Sequence, residues 1–277
     1  MSANYDPIGS SGAANPVNIA DTSIGYRLFG NGYPLLMIMG YGSTMNLWEP
    51  RLIDTLASRF RVIIFDNRGM GSSGAGTQAF SIEQFSEDTC GLMDALGIER
   101  AHVLGWSMGS LIAQELALRH PSKVNKLVLY AAHCDAGMFP PSPDLIRQLT
   151  DTTGTPEERG MRYIGALFSD PWLQNHGGRI GEIFFRPMGN IPEESVGRQA
   201  MAIDAWKGAT DRLGGIRSPA LLIAGTEDRL VVPQNARFLC DHMPDAKLAL
   251  IENGGHGLMF QYPDLFCRKV LGFLGQS

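Results

Sequence analysis

Long apolar runs, paired cysteines and basic tracts are all missing from this chain, and each absence removes a class of function. No apolar stretch in the 277 residues approaches the roughly 18 needed for a membrane-spanning helix. The formal net charge is −5 and Lys and Arg form no cluster, so neither nucleic acid nor an anionic membrane surface is an expected partner. The four cysteines, Cys90, Cys134, Cys240 and Cys267, are scattered without a C-x-x-C pair. That spacing suits neither a disulfide framework nor a zinc site. It points to small core or surface residues in a reducing, cytoplasmic setting. Residues 1–16 are polar and lack the basic start and apolar middle of a secretory signal, so they read as a flexible leader. What is present is 44% hydrophobic and 18% charged, ample for one large domain with a buried core.

Short apolar runs punctuate the chain. Val17 to Phe29 reads as two antiparallel strands leading in. Leu35–Met39, Arg61–Phe65, Ala101–Leu104, Lys126–Tyr130, Ala220–Ala224 and Lys247–Ile251 read as strands buried on both faces. Helical stretches fall between them, around Trp48–Ser58, Ser81–Leu96, Met108–Arg119, Gln234–His242 and Pro263–Leu274. Alternating strands and helices predict parallel pairing, because each parallel crossover needs the room a helix supplies. The expected fold is α/β, a doubly wound, mostly parallel eight-stranded sheet. From about Asp135 to Leu213 the alternation stops, leaving helix-like pieces at Pro156–Phe168 and Glu193–Trp206 rich in Met and aromatic residues. That length is too great for an unstructured loop. The expected organisation is a leader at 1–16, a core at 17–134 and 214–277, and a helical cap at 135–213.

Gly105-Trp106-Ser107-Met108-Gly109 joins a strand to a helix, and G-x-S-x-G at such a junction is the spelling of a nucleophile elbow. The turn is sharp enough to strain the serine backbone, and side chains two residues to either side would collide. Serine is a weak nucleophile at neutral pH and needs a base that is itself oriented by a carboxylate. His256, between glycines after the strand Lys247–Ile251, is the expected base. Asp228, after the strand Ala220–Ala224, is the expected acid, with Glu227 and Asp135 as rivals. The order Ser107, Asp228, His256 is that of nucleophile, acid and base in the elbow-bearing hydrolases. A developing oxyanion needs donors. The backbone N–H of Met108 supplies one, and that of Tyr41, in the turn Gly40-Tyr41-Gly42-Ser43, the other. Trp106, Phe139, Trp172 and Leu258 are the expected substrate-pocket residues.

With Asp66-Asn67-Arg68-Gly69-Met70-Gly71-Ser72-Ser73, Gly225-Thr226-Glu227-Asp228 and Gly255-His256-Gly257 added, the chain resembles the cap-bearing α/β-hydrolases of the esterase, lactonase and perhydrolase type. The likeness spans nearly everything but the leader and the cap. It implies a serine hydrolase acting on a small, largely apolar carboxylic ester or lactone through an acyl-enzyme, with no metal and no organic cofactor. One departure stands out. Many relatives carry His-Gly in the oxyanion turn, where this chain has Met39-Gly40. Carbon–carbon bond hydrolases of this fold often place Asn before the serine and Trp after the histidine, but Trp106 and Gly257 occupy those positions here. A slow-turnover receptor with the same residues is the other alternative. Gly69-Met70-Gly71-Ser72-Ser73-Gly74 also spells G-x-G-x-x-G, the dinucleotide fingerprint. Asp66-Asn67-Arg68 separates it from its strand, however, which favours a supporting loop.

Overall fold

The computed structural model describes residues 14–184 and 187–275. Most of the expected leader lies outside the described residues. Its last two positions, Asn15 and Pro16, already belong to the first strand, so the core begins inside the segment read as leader. The eight strands are β1 (Asn15–Ile19), β2 (Thr22–Phe29), β3 (Tyr33–Ile38), β4 (Phe60–Phe65), β5 (Ala101–Trp106), β6 (Val124–Tyr130), β7 (Ala220–Gly225) and β8 (Ala246–Ile251). They form one sheet in the order β1-β2-β4-β3-β5-β6-β7-β8. β1 and β2 pair antiparallel, β2 lies antiparallel to β4, and every later pairing is parallel.

Period-two alternation sends successive strand residues to opposite faces. Leu36 and Ile38 of β3 join Ile63, Val103, Leu127 and Leu222 in one core layer, while Leu35 and Met37 join Ile64, Leu104, Val128 and Ile223 in the other. Helices α1 (Pro50–Ala57), α2 (Ile82–Ala95) and α3 (Met108–Arg119) follow β3, β4 and β5. Ser81 caps α2 by accepting the Gln84 N–H at 3.0 Å. α3 is buried along almost its whole length. It lies so close to the sheet that a Cβ on Gly109 would sit 2.1 Å from the Ile38 carbonyl oxygen. β8 departs from the buried strand read from sequence. It is one of the sheet's two edges, β1 being the other, and five of its six residues are partly or fully exposed.

Between β6 and β7 the described residues hold helices and no strand: α4 (Pro143–Thr150), α5 (Pro156–Ala166), α6 (Asp170–His176), α7 (Arg179–Phe184) and α8 (Glu193–Ala205). α5 opens with a capping box in which Thr155 and Glu158 satisfy each other's backbone N–H. The fold closes with α9 (Gln234–His242), the short α10 (Leu258–Gln261) and α11 (Pro263–Leu274). Among the described residues no helix is long and apolar enough to cross a membrane. Cys90, Cys134 and Cys267 are buried, Cys240 is half-buried, and all four are free thiols.

Candidate active site

The chain runs from β3 to β4 on one side and then, from β4, back past β3 to β5 on the other. Between β3 and β5 the winding direction reverses, and loops at the carboxyl ends of such strands open a crevice. Ser107 stands there, immediately after β5. Its backbone has φ 54° and ψ −121°, outside the regions ordinary L-residues occupy, a strain costing about 1–3 kcal/mol. Three hydrogen bonds hold it. Ser107 N–H donates to the Tyr130 carbonyl at 2.9 Å, and the Ser107 carbonyl accepts from the Ser110 N–H at 2.8 Å and its hydroxyl at 2.6 Å. The flanking glycines are required by different neighbours. A Cβ on Gly105 would lie 2.2 Å from the Gly109 carbonyl oxygen across the turn, whereas one on Gly109 would strike β3.

Gly225, ending β7, performs the same service for the other two groups. A Cβ there would sit 2.0 Å from the Gly254 carbonyl oxygen, so its absence lets the loops after β7 and β8 touch. Glu227 N–H donates to that carbonyl at 2.8 Å. Asp228 is consequently brought under His256, and its Oδ2 lies 2.9 Å from His256 Nδ1. Its Oδ1 accepts the N–H groups of Leu230 at 2.9 Å and Val231 at 2.8 Å. Both side chains are buried. A carboxylate fixed this way leaves the imidazole one orientation, with Nε2 on the side away from Asp228. The rivals are elsewhere. Glu227 is exposed, and Asp135 caps its own turn by accepting the Gly137 N–H at 2.8 Å.

Sequence reasoning missed what holds the His256 backbone. Its carbonyl accepts hydrogen bonds from the Trp106 indole N–H at 3.2 Å and from the Tyr130 hydroxyl. The two rings stack with planes 8° apart. Gln261 accepts the Gly255 N–H at 2.6 Å. Nothing in the spacing of Tyr130 or Gln261 signals these roles, since each looks like an ordinary strand or helix residue.

The turn Gly40–Ser43 faces the serine. A Cβ on Gly40 would lie 3.4 Å from Ser107 Cβ. Asn67 anchors the strand end by donating to the Met39 carbonyl at 3.0 Å. Among the described residues neither the Tyr41 N–H nor the Met108 N–H is paired with an acceptor, and Met108 N–H opens α3, at its positive end.

Ser107 and His256 sit on the wall of a cavity of about 460 Å³ with Tyr41 and Trp106. Most of the remaining wall is apolar, including Leu47, Ile164, Leu167, Phe184, Met188 and Val196, and no Asp, Glu, Lys or Arg among the described residues lines it. Three of the expected pocket residues are not among those lining this cavity. Phe139 packs its ring against Phe238 of α9, with centroids 6.1 Å apart. Trp172 stacks on Phe168 at 4.7 Å. Leu258 is fully buried behind the histidine loop. Aromatic and aliphatic groups in that part of the chain also have to glue the helical segment to the core, and sequence does not separate the two uses. The inward face of α5, with Phe184, Met188, Ile191 and Val196, supplies much of the wall instead.

The glycine series 69–74 folds around a carboxylate. Asp66 accepts the N–H groups of Met45 at 2.7 Å and Ser72 at 2.8 Å, and burial raises its pKa. A Cβ on Gly71 would meet Asp66 Oδ2 at 2.1 Å. The next helix opens only at Ile82, so these glycines present no helix N-terminus to a pyrophosphate. Arg68, fully buried, is held between Asp21 and Asp88. Among the described residues no cluster of three His, Cys, Asp or Glu could hold a metal.

Comparisons with known proteins agree with this architecture. Residues 33–170 match the family model described as the alpha/beta hydrolase fold. The chain is 30% identical over 257 residues to a protein of Azorhizobium caulinodans named "Putative carbamate hydrolase RutD", covering 92% of this chain and 96% of that one. Among solved structures it resembles the enol-lactonase of Burkholderia xenovorans LB400, with a TM-score of 0.81 and 25% identity over 95% of this chain and all of the other. It also resembles Est816, described as an N-acyl homoserine lactone degrading enzyme, with a TM-score of 0.78 and 25% identity over 94% of this chain and 100% of that one. On its sheet order, its strained serine after β5 and these matches, the chain belongs to the α/β-hydrolase fold family.

Proposed function

We propose that the protein is a serine hydrolase that cleaves a small, largely apolar carboxylic ester or lactone through an acyl-enzyme. The observation that carries this reading is the meeting of Ser107 and an Asp228-bonded His256 on the wall of an apolar, charge-free cavity. Ser107 Oγ attacks the carbonyl carbon while His256 Nε2 takes the hydroxyl proton. Asp228 holds the tautomer and stabilises the imidazolium. The N–H groups of Tyr41 and Met108 receive the oxyanion. His256 then gives its proton to the leaving alkoxide, which in a lactone remains tethered to the acyl group. A water activated by the same histidine attacks the acyl-enzyme, and the acid leaves. Residues 135–213 act as the cap that shapes the acyl and alcohol sites, and the free thiols favour a reducing cytoplasm.

Charge-free walls favour neutral substrates, since an ion would be desolvated without a partner. The RutD relative adds carbamates to the field, because a carbamate carbonyl presents the same electrophile to a serine. The test compares p-nitrophenyl butyrate with a matched p-nitrophenyl N-alkyl carbamate, using wild type and Ser107→Ala side by side. Ester turnover that falls by several orders of magnitude in Ser107→Ala is the expected result. Faster carbamate than ester turnover would reassign the substrate class, and equal activity in both proteins would refute the nucleophile.

A further inference from the structure

Helix α8 presents Ser195, Gln199 and Ala202 inward on one face, the spacing of successive turns. Gln199 is fully buried, and its Oε1 accepts the Gly42 N–H at 2.9 Å. Gly42 belongs to the turn that follows β3 and carries the Tyr41 amide. Its φ of +62° is left-handed, so the orientation of the peptides on either side depends on what holds this residue. The neighbouring contacts come from the same part of the chain. Val196 lies 3.8 Å from where a Gly42 Cβ would be. The Thr44 hydroxyl donates to the Met188 carbonyl, and Gly71 N–H donates to the Asn190 carbonyl at 2.7 Å.

Gln199 is an expensive way to fill this space. With Oε1 committed to an N–H donor, the amide cannot flip, and its Nε2 is buried without a hydrogen-bond partner among the described residues. A hydrogen bond made by an amide whose own N–H group is left buried and stranded yields little net stability. An apolar side chain of similar length would fill the same volume without the stranded Nε2, but it would take the acceptor from the Gly42 N–H. The bond therefore makes sense as a fixture for Gly42 rather than as glue.

We propose that Gln199 is a positioning residue for the oxyanion site, reaching from the helical segment to fix the Gly42 peptide and so aim the Tyr41 N–H at the developing charge. This rests on the serine-hydrolase reading above. It also means that the oxyanion site is complete only when α8 is seated on the core, so the helical segment that shapes the cavity also completes the catalytic turn.

Gln199→Met removes the acceptor and keeps the length. The measurements are kcat and KM for p-nitrophenyl butyrate, and Ki for an alkyl trifluoromethyl ketone, which forms a tetrahedral adduct with a nucleophilic serine. The expected result is a fall in kcat of about 10- to 100-fold, a matching rise in Ki, and KM within about threefold, because one misaligned oxyanion donor costs up to that order. A filler role would lower the melting temperature and leave kcat and Ki of the folded enzyme unchanged, which would overturn the proposal. If the Met variant does not fold, Gln199→Leu removes the same acceptor with a smaller side chain. Its kcat and ketone affinity should fall together at unchanged KM, and wild-type values there would overturn the proposal equally. Wild type and Ser107→Ala run alongside. A wild type without ester turnover sinks the serine-hydrolase reading and this one with it, whereas an active wild type and an equally active Gln199→Met sink this one alone.

Discussion

Gly225→Ala should disable the site without touching any group that reacts. The new methyl would lie 2.0 Å from the Gly254 carbonyl oxygen, 2.3 Å from its carbon and 2.8 Å from the Gly255 carbonyl oxygen. Non-bonded carbon and oxygen do not approach within about 3 Å, so one loop has to yield by about 1 Å. Neither can do so freely. The histidine loop is fixed by Gly257 N–H on the Leu167 carbonyl at 2.6 Å, by Gln261 on Gly255 N–H, and by Trp106 and Tyr130 on the His256 carbonyl. The loop carrying Asp228 is tied back by Thr226 N–H on Ile251 at 3.0 Å. A displacement of about 1 Å at a catalytic base costs on the order of 10²-fold in rate, equivalent to about 2.7 kcal/mol. The assay is kcat on p-nitrophenyl butyrate, with thermal unfolding and far-ultraviolet circular dichroism to show that the sheet is intact. Gly272→Ala serves as control, since a methyl on that exposed residue of α11 meets nothing within 4 Å. A Gly225→Ala enzyme within threefold of wild type would refute the claim that contact between these loops sets the Asp228–His256 geometry.

The control carries its own expectation: replacing a helical glycine with alanine should raise stability by about 0.5–1 kcal/mol in urea unfolding. Tyr130→Phe should cost about 1–3 kcal/mol, because the buried Met259 N–H loses its acceptor and the His256 carbonyl keeps only Trp106; the urea midpoint reads this. His102 lies buried between Tyr33 and Phe60 with its Nδ1 unpaired among the described residues, and burial, with Lys126 and Arg100, lowers its pKa from 6.5 to about 4. The unfolded chain takes up this proton first, so stability is full above pH 6.5 and falls as pH drops toward 4, by up to about 3 kcal/mol. Urea titrations at pH 4 to 8 should show a shallower slope in His102→Phe, and an unchanged slope would refute the assignment. His133 carries a similar burial-driven shift, so only the double variant should approach a flat profile over that window.

The parts of the fold legible in sequence are those where one physical rule decides. Alternating strands and helices prescribe parallel pairing, and α3, α9 and α11 occupy the ranges that their apolar spacing and flanking residues predict. The glycines of the elbow are legible because no other residue survives within about 2 Å of a carbonyl oxygen. β8 was harder. Its apolar composition resembles that of the inner strands, yet edge position is a property of sheet order, which no local window contains. Gln199, Asn67 and Gln261 were illegible for a related reason. Each acts through one long-range hydrogen bond to a backbone N–H or carbonyl, and a single glutamine or asparagine leaves no periodic trace.

The cavity wall shows the same limit with a functional consequence. The proposed reacting groups are fixed by the core: Ser107 by β5, Asp228 and His256 by the touching loops after β7 and β8. Most of the apolar wall comes from α5 and from Phe184, Met188, Ile191 and Val196, in a part of the chain tied to the core by a few hydrogen bonds and by side-chain packing. Substitutions at Tyr163, Ile164 or Met188 can therefore change which acyl group fits while leaving the reacting atoms in place. Those at Gln199 cannot, because its bond reaches the proposed oxyanion turn directly. Specificity should drift readily along α5 and remain coupled to rate at α8. Exchanging Ile164→Ala should shift the preferred p-nitrophenyl ester to a longer chain at similar kcat, because a wall position gains volume where no reacting group is held. An unchanged chain-length profile would place the acyl group against another wall.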